Sequence, residues 1–296
     1  MERRILLIDA TGLVFRAFYS ISADMTSPKG QPVNAVFGLV RMLLRVFRDV
    51  PATASAVVFD AGKATFRTEV YPDYKAQRPA PPDELRHQFQ LAIDTARASL
   101  APVFVESGFE ADDLIATIAR QAREVGHAVT VLTSDRDILQ LLAPNCDVLM
   151  PARRGELTRH NLASFEHKYG FPVSRFIDFK AIMGDPSDNI PGIYGIGEKG
   201  ATKLVSTYGK LEQIYGNIDM VKPDSARKKL AAAKDDVFLY RDLVTLKDDV
   251  AVEYDFSART LPDFSSASLQ QMLGDLGFNR VREDALALGD LMADVL

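Results

Sequence analysis

The acidic residues are the side chains in this sequence whose types and spacing could do chemistry together. Asp9 closes the apolar run at 5–8 and Asp60 the run at 55–59. Glu110, Asp112 and Asp113 stand in one short stretch, Asp135 and Asp137 follow the run at 128–132, and Asp185 and Asp188 share the stretch Gly184-Asp185-Pro186-Ser187-Asp188-Asn189. Carboxylates gathered in one place repel one another and push their pKa values up, a penalty that a multivalent cation removes. No His or Cys accompanies these acids, so the donor set is all hard oxygen, which suits Mg²⁺ or Mn²⁺ and disfavours zinc. Two such ions, roughly 3.5–4 Å apart, can activate a water and stabilise the leaving oxygen of a phosphodiester. Taken singly, Asp112 or Asp113 could be a helix cap or dipole partner, and Asp135 and Asp137 turn residues. Delivery of acids by several segments to one rim favours the metal reading.

That rim has to be built by the elements between. Short β-type runs at 4–8, 55–59, 103–105, 128–132 and 147–150 alternate with helical patterns, as in a parallel sheet with crossover helices. Val36, Val40, Leu43, Leu44 and Phe47 repeat at helical spacing, as do Leu114, Ile115, Ile118 and Ala122. The acids then fall at the carboxyl ends of the strands, where open parallel sheets bind ligands. From 65 to 82 the pattern fails. Arg67, Lys75 and Arg78 alternate with Tyr71 and Tyr74, and Pro79, Pro81 and Pro82 break any long helix. This predicts a mobile excursion whose cations meet phosphates and whose rings stack on bases. After 169 the character is helical, with helices expected at 176–183, 201–208, 211–215 and 237–246, an edge strand at 250–254, and closing helices at 269–276 and 285–296. Between two of these helices, Pro191-Gly192-Ile193-Tyr194-Gly195-Ile196-Gly197-Glu198-Lys199-Gly200 predicts a glycine turn. There backbone N–H groups and a helix N-terminus, helped by Lys199 and Lys203, approach a phosphate without reading sequence.

With 296 residues, 47% apolar and 25% charged, the chain can bury a core in one large domain or in a domain plus a smaller module. A net charge of −5 argues against a nucleic-acid partner until position is considered. With nine of the 40 acids set apart as metal ligands, 31 remain against 35 bases, and the rest of the surface is slightly basic. The single cysteine, Cys146, excludes an internal disulfide and a cysteine-rich zinc site and fits a reducing cytoplasm. The first apolar run is too short for a signal peptide or a membrane span, so no membrane association is expected.

Together the motifs resemble the 5′ nuclease, or flap endonuclease, family, most closely the N-terminal 5′–3′ exonuclease domain of bacterial DNA polymerase I. The matching runs are Leu7-Ile8-Asp9, Val57-Val58-Phe59-Asp60-Ala61, Phe66-Arg67 through Tyr74-Lys75 to Arg78, Glu110-Ala111-Asp112-Asp113, Thr133-Ser134-Asp135-Arg136-Asp137, and Met183-Gly184-Asp185 through Asp188-Asn189-Ile190-Pro191-Gly192 to Gly195-Ile196-Gly197-Glu198-Lys199. The resemblance implies an α/β fold: a PIN-like, parallel-rich central sheet flanked by helices over 1–170, with a helical arch at about 65–90. A helix-three-turn-helix DNA-binding module would follow over 171–255, and C-terminal helices packing on the core over 256–296. It implies that Asp9, Asp60, Glu110 and Asp112 surround a first metal ion and Asp112, Asp135, Asp137 and Asp188 a second, with Asp113 and Asp185 in outer or alternative positions. Lys75 and Arg78 match arch bases that contact the scissile phosphate, with Arg16 and Tyr74 nearby, while Phe15, Arg67 and Tyr71 would meet DNA. The glycine turn, with Gly192, Gly195, Gly197, Lys199 and Lys203, matches the module that grips duplex and can hold K⁺ on backbone carbonyls.

Two positions depart from the family pattern: Ala10 stands where glycine is usual, and Phe15 where tyrosine is usual. The implied function is two-metal hydrolysis of branched, flapped or nicked DNA, including RNA–DNA hybrid primers, in replication primer removal and repair. The protein would be a monomer near the nucleoid, with a polymerase in cis or in trans. A PIN-type ribonuclease shares the acidic rim but lacks the arch and the glycine turn. A non-catalytic DNA-junction binder would not need the full set of acids with Lys75 and Arg78.

Overall fold

The computed structural model describes residues 3–62, 64–152, 155–258 and 260–295. The sheet comprises β1 (Arg4–Asp9), β2 (Ala54–Val58), β3 (Val103–Phe104), β4 (Ala128–Leu132), β5 (Cys146–Pro151) and β6 (Leu157–His160), in the spatial order β3-β2-β1-β4-β5-β6. The first five strands are parallel; β6 pairs antiparallel with β5. Chain order runs outward from β1 to β3 on one side and from β4 to β6 on the other, so the winding reverses between β1 and β4. A ligand crevice opens at such a switch point, beyond the carboxyl ends of the strands.

The central strands are buried on both faces, and alternate residues feed two cores. Ile5, Leu7, Val129, Val131 and Val148 pack with α5 (Ala111–Glu124) and with the helices that follow the sheet. Leu6, Ile8, Val57, Phe59 and Leu132 pack with α1 (Ala10–Ser20), α2 (Asn34–Asp49) and α4 (Asp83–Ala98), joined by Leu269 and Leu273 of α12 (Ala267–Asp275), Val281 of α13 (Asn279–Val295) and Phe278 between the two. The remaining α-helices are α3 (Phe66–Val70), α6 (Leu162–Tyr169), α7 (Phe176–Met183), α8 (Glu198–Tyr208), α9 (Leu211–Gly216), α10 (Asp224–Ala232) and α11 (Lys234–Val244). No helix among the described residues is long and apolar enough to cross a membrane.

Several elements differ from the sequence reading. Residues 250–254 are not an edge strand. Val250, Val252 and Tyr254 alternate into the core, but the backbone is held by side chains of α5 rather than by a neighbouring strand: Val250 N–H donates to Thr117 Oγ1 at 3.2 Å and Gln121 Nε2 to the Val252 carbonyl at 3.4 Å. Strand β6 and helices α6 and α10 were not foreseen, nor was helix α1. The helix begins immediately after Asp9, whose carboxylate caps it by accepting from Gly12 N–H at 3.2 Å. The excursion at 65–82 is also folded down onto the acids rather than loose.

Candidate metal centre

A cavity of about 560 Å³ sits at the switch point, and Asp9, Asp60, Glu110, Asp112, Asp135, Asp137 and Asp185 all line it. Each carboxylate is positioned by the element it terminates or begins. Asp9, at the end of β1, accepts from Thr133 Oγ1 at 2.7 Å as well as from Gly12. Asp60, just beyond β2, accepts from Ala111 N–H at 2.6 Å, which ties the end of β2 to the start of α5. Beyond β4, Asp135 N–H donates to Thr133 Oγ1 at 2.9 Å, and Asp137 N–H donates to Asp135 Oδ1 at 2.8 Å. Asp188 lies behind the wall, 9% exposed, accepting from Tyr74 at 3.0 Å and Arg78 at 2.6 Å.

Enclosure and mutual repulsion act on these groups as on any buried carboxylates. Burial, then the charge of Asp60, pushes Asp9 up to about 7, and burial, then Asp135, does the same to Asp137. Burial raises Asp60, and burial with repulsion from Glu110 and Asp113 holds Asp112 well above its ordinary value. Two ammonium groups partly compensate. Lys75 Nζ lies 2.6 Å from Glu110 Oε1 and 3.7 Å from Asp188 Oδ2. Lys180, on α7 and only 8% exposed, sits 2.7 Å from Asp137 Oδ1 and also bonds Asp185. Burial alone would lower the pKa of Lys180, but the two carboxylates hold it above the ordinary lysine value, and Lys180 in turn holds Asp185 low. Sequence reasoning missed Lys180; the only available signal was a lysine inside the apolar stretch Phe176-Ile177-Asp178-Phe179-Lys180-Ala181-Ile182.

The residues present fit a hard divalent cation. The donors are all carboxylate, and Asp112 Oδ1 is buried without a hydrogen-bond partner, an arrangement that costs stability unless something else is bound there. Among the described residues no three acidic, His or Cys side chains already converge as a finished metal cage, and the ammonium groups stand among the acids.

Other expected site residues are placed as follows. Arg67 does not face solvent: it is 1% exposed, with a bidentate pair to Asp113 at 2.7 Å for both bonds and further bonds to the Leu243 and Thr245 carbonyls at 2.8 and 3.1 Å. Asp113 is 0% exposed, outside the cavity wall, and also accepts from Glu110 N–H and Lys247 N–H. Its bonding capacity is therefore spent on the protein. Tyr74 is not a free stacking platform either: it is 4% exposed and its hydroxyl bonds Glu110 and Asp188, each at 3.0 Å. Tyr71 is half-buried, edge-on to Tyr240. Arg78 and Lys75 remain at the cavity wall, as does Phe15, edge-on to Phe89. Arg16 is not brought to the acids; it bonds the Ala152 carbonyl at 3.0 Å and lines a neighbouring groove.

The excursion is clasped to the loop at 185–189. Lys75 N–H donates to the Asp188 carbonyl at 3.0 Å, Asn189 Nδ2 donates to the Asp73 carbonyl at 2.7 Å, and Gln77 and Arg78 bond Ser187 O at 3.1 and 3.0 Å. Lys75 and Asn189 both sit in the left-handed region, φ 54° and 58°, a strained state that clusters at functional sites.

The glycine turn carries Gly195, Gly197, Lys199 and Lys203 on its solvent side, with Tyr194 93% exposed at its tip, a ring sequence reasoning did not single out. Gly192 is buried instead. At φ +66° it packs against the Gly184 backbone so closely that a Cβ there would collide. Glu198 at the start of α8 also lines the acid cavity, so the turn borders the candidate metal centre.

The family model for the 5′–3′ exonuclease N-terminal resolvase-like domain matches residues 4–170, and that for the 5′–3′ exonuclease C-terminal SAM fold matches residues 171–267. The thermostable DNA polymerase I of Thermus filiformis is 39% identical over 296 residues, covering 96% of this chain and 35% of the polymerase. DNA polymerase I of Mycobacterium tuberculosis is 39% identical over 285 residues, covering 94% and 31%. The chain thus spans about a third of the length of these curated relatives. In fold, it is similar to the D15 flap endonuclease of bacteriophage T5 solved with DNA and metal ions, at a TM-score of 0.70 and 22% identity, covering 97% of this chain and 100% of that one. With a family model matched across the sheet and a second across the helices that follow, the chain belongs to the 5′–3′ exonuclease family.

Proposed function

We propose that this chain is a divalent-metal-dependent 5′ nuclease that removes nucleotides from 5′ ends and cuts 5′ flaps from branched or nicked DNA. The observation that carries this reading is the convergence of seven carboxylates from five chain segments on one cavity, beside two arch-side cations and a glycine turn. Asp9, Asp60, Glu110 and Asp112 would hold one Mg²⁺ or Mn²⁺, and Asp112, Asp135, Asp137 and Asp188 a second, with Asp185 in outer contact. Asp113 is better assigned to Arg67. When bound, such ions supply Lewis acidity at the phosphodiester and at the attacking water.

The chain's own residues then bind and orient. Glu110, bonded to Lys75 in this structure, would be a metal ligand, and Lys75 with Arg78 would bind the oxygens of the scissile phosphate, where positioned charge is worth most. Tyr74 holds Glu110 and Asp188 in register through one hydroxyl. Phe15 offers a ring at the cavity wall, and Gly195, Gly197, Lys199 and Lys203 seat the backbone of the duplex. Full-length relatives pair this region with a polymerase, and an RNA–DNA primer is the substrate such a pairing supplies; placement near the nucleoid follows. Cleavage of end-labelled 5′-flap, nicked duplex, blunt duplex and single-stranded RNA, each with Mg²⁺ and with EDTA, tests the reading. Flap and nicked DNA should be cut only with Mg²⁺. Preferential cutting of RNA would replace this reading with a PIN-type ribonuclease, and no cutting at all with a junction binder.

A further inference from the structure

Lys229 lies on α10 one residue before the fully buried Leu230, and its ammonium reaches across to donate to the Gly195 carbonyl at 3.0 Å. Gly195 has φ +72°, and a Cβ built there would collide with Lys229 Nζ, so the lysine is laid directly over the turn. The cavity at this place, about 250 Å³, has Lys203, Lys222 and Lys229 in its walls together with Gly195, Gly197 and Tyr208, and none of its lining residues is acidic. Gly197 begins the 11-residue α8 without a side-chain cap, so the positive end of that helix faces the same place. Three ammonium groups and an uncapped helix start around one small cavity make a seat for an anion. On the duplex-binding reading of the neighbouring turn, that anion would be a phosphate of a DNA backbone.

The family resemblance led to the expectation of a K⁺ ion on backbone carbonyls of this turn. In this chain a tethered ammonium already occupies one of those carbonyls, and it brings the same single positive charge without any ion to capture. We propose that Lys229 is a built-in cation of the turn: it fixes the Gly195 carbonyl and, with Lys203 and Lys222, seats a duplex phosphate, so that the grip needs no added monovalent ion. This rests on the duplex-binding reading above.

The test is the affinity of the whole chain for a nicked duplex, by fluorescence anisotropy in EDTA, in chloride salts of K⁺ and of tetramethylammonium at one ionic strength. Wild-type affinity should agree within about twofold between the salts, whereas K229M should lose about tenfold in tetramethylammonium, recover part of it in K⁺, and show a log–log salt slope lower by about one. K229R should restore wild-type behaviour. A wild-type affinity that collapses when K⁺ is withdrawn would overturn the inference, and this arm needs no variant to fold. So would K229M binding like wild type in both salts. Wild-type chain with no affinity for the duplex in either salt would overturn the nuclease reading itself.

Discussion

At the scale of single residues, Arg67 and Asp113 carry the clearest lesson about what spacing can and cannot disclose. Both types are common functional groups, and both stand in runs that match the family, yet they form a fully enclosed bidentate pair whose spare valences go to Leu243, Thr245, Glu110 and Lys247. Sequence spacing placed Asp113 correctly at a helix start beside Glu110 and Asp112. It could not say which of three neighbouring acids turns inward, because that depends on a partner 46 residues away. The pair joins α3, the start of α5 and the end of α11, and so positions two cavity carboxylates from behind. Removing one partner leaves a buried charge unpaired, so Arg67→Ala should lower unfolding free energy by about 3–5 kcal/mol, more than any exposed arginine would. Chemical denaturation checks it. The double variant with Asp113→Asn should be less destabilised than the two single losses added together, and strict additivity would mean the two residues are not coupled.

At the scale of elements, the parallel strands were legible because the central ones are buried on both faces, each strand is a short apolar run, and three of them, β1, β2 and β4, lead into acids. The segment at 250–254 shows the limit of the same signal: its alternation is real, but alternation reports burial of one face and not hydrogen-bond pairing, and here α5 side chains take the backbone. The excursion was legible as irregular, and its docking was not, since the contacts of Tyr74, Lys75 and Arg78 are with residues 35 to 114 positions distant. Its clasp to the loop at 185–189 changes what proteolysis should report. Arg67 should resist trypsin, and because Arg78 precedes Pro79 and offers no trypsin site, cutting should begin at Lys75, which is 23% exposed in its side chain. A bound 5′ flap in EDTA should slow that cut; equal rates with and without the flap would mean the segment does not touch the strand. Lys75→Ala should slow single-turnover cleavage by roughly 10 to 10³-fold, the range for removing one positioned charge, with flap affinity changed much less. A wild-type rate would remove Lys75 from the chemistry.

At the scale of the whole molecule, the acid cavity would serve chemistry and the glycine turn would serve grip. Lys199→Ala with Lys203→Ala should weaken duplex binding and reduce the log–log salt slope by about one for each phosphate no longer neutralised, while cleavage at saturating enzyme changes little. An unchanged slope would place the duplex elsewhere. The central claim is that the carboxylates act together by holding metal, and Asp112 is its sharpest probe because it stands between both proposed ligand sets and carries the unpartnered buried oxygen. The deciding measurement is single-turnover cleavage of a 5′-flap substrate in saturating Mg²⁺ by Asp112→Asn beside wild type, with flap affinity measured in parallel in EDTA. The account predicts a rate lowered by at least about 10² to 10³-fold with flap affinity retained; a variant that cleaves at the wild-type rate would contradict it.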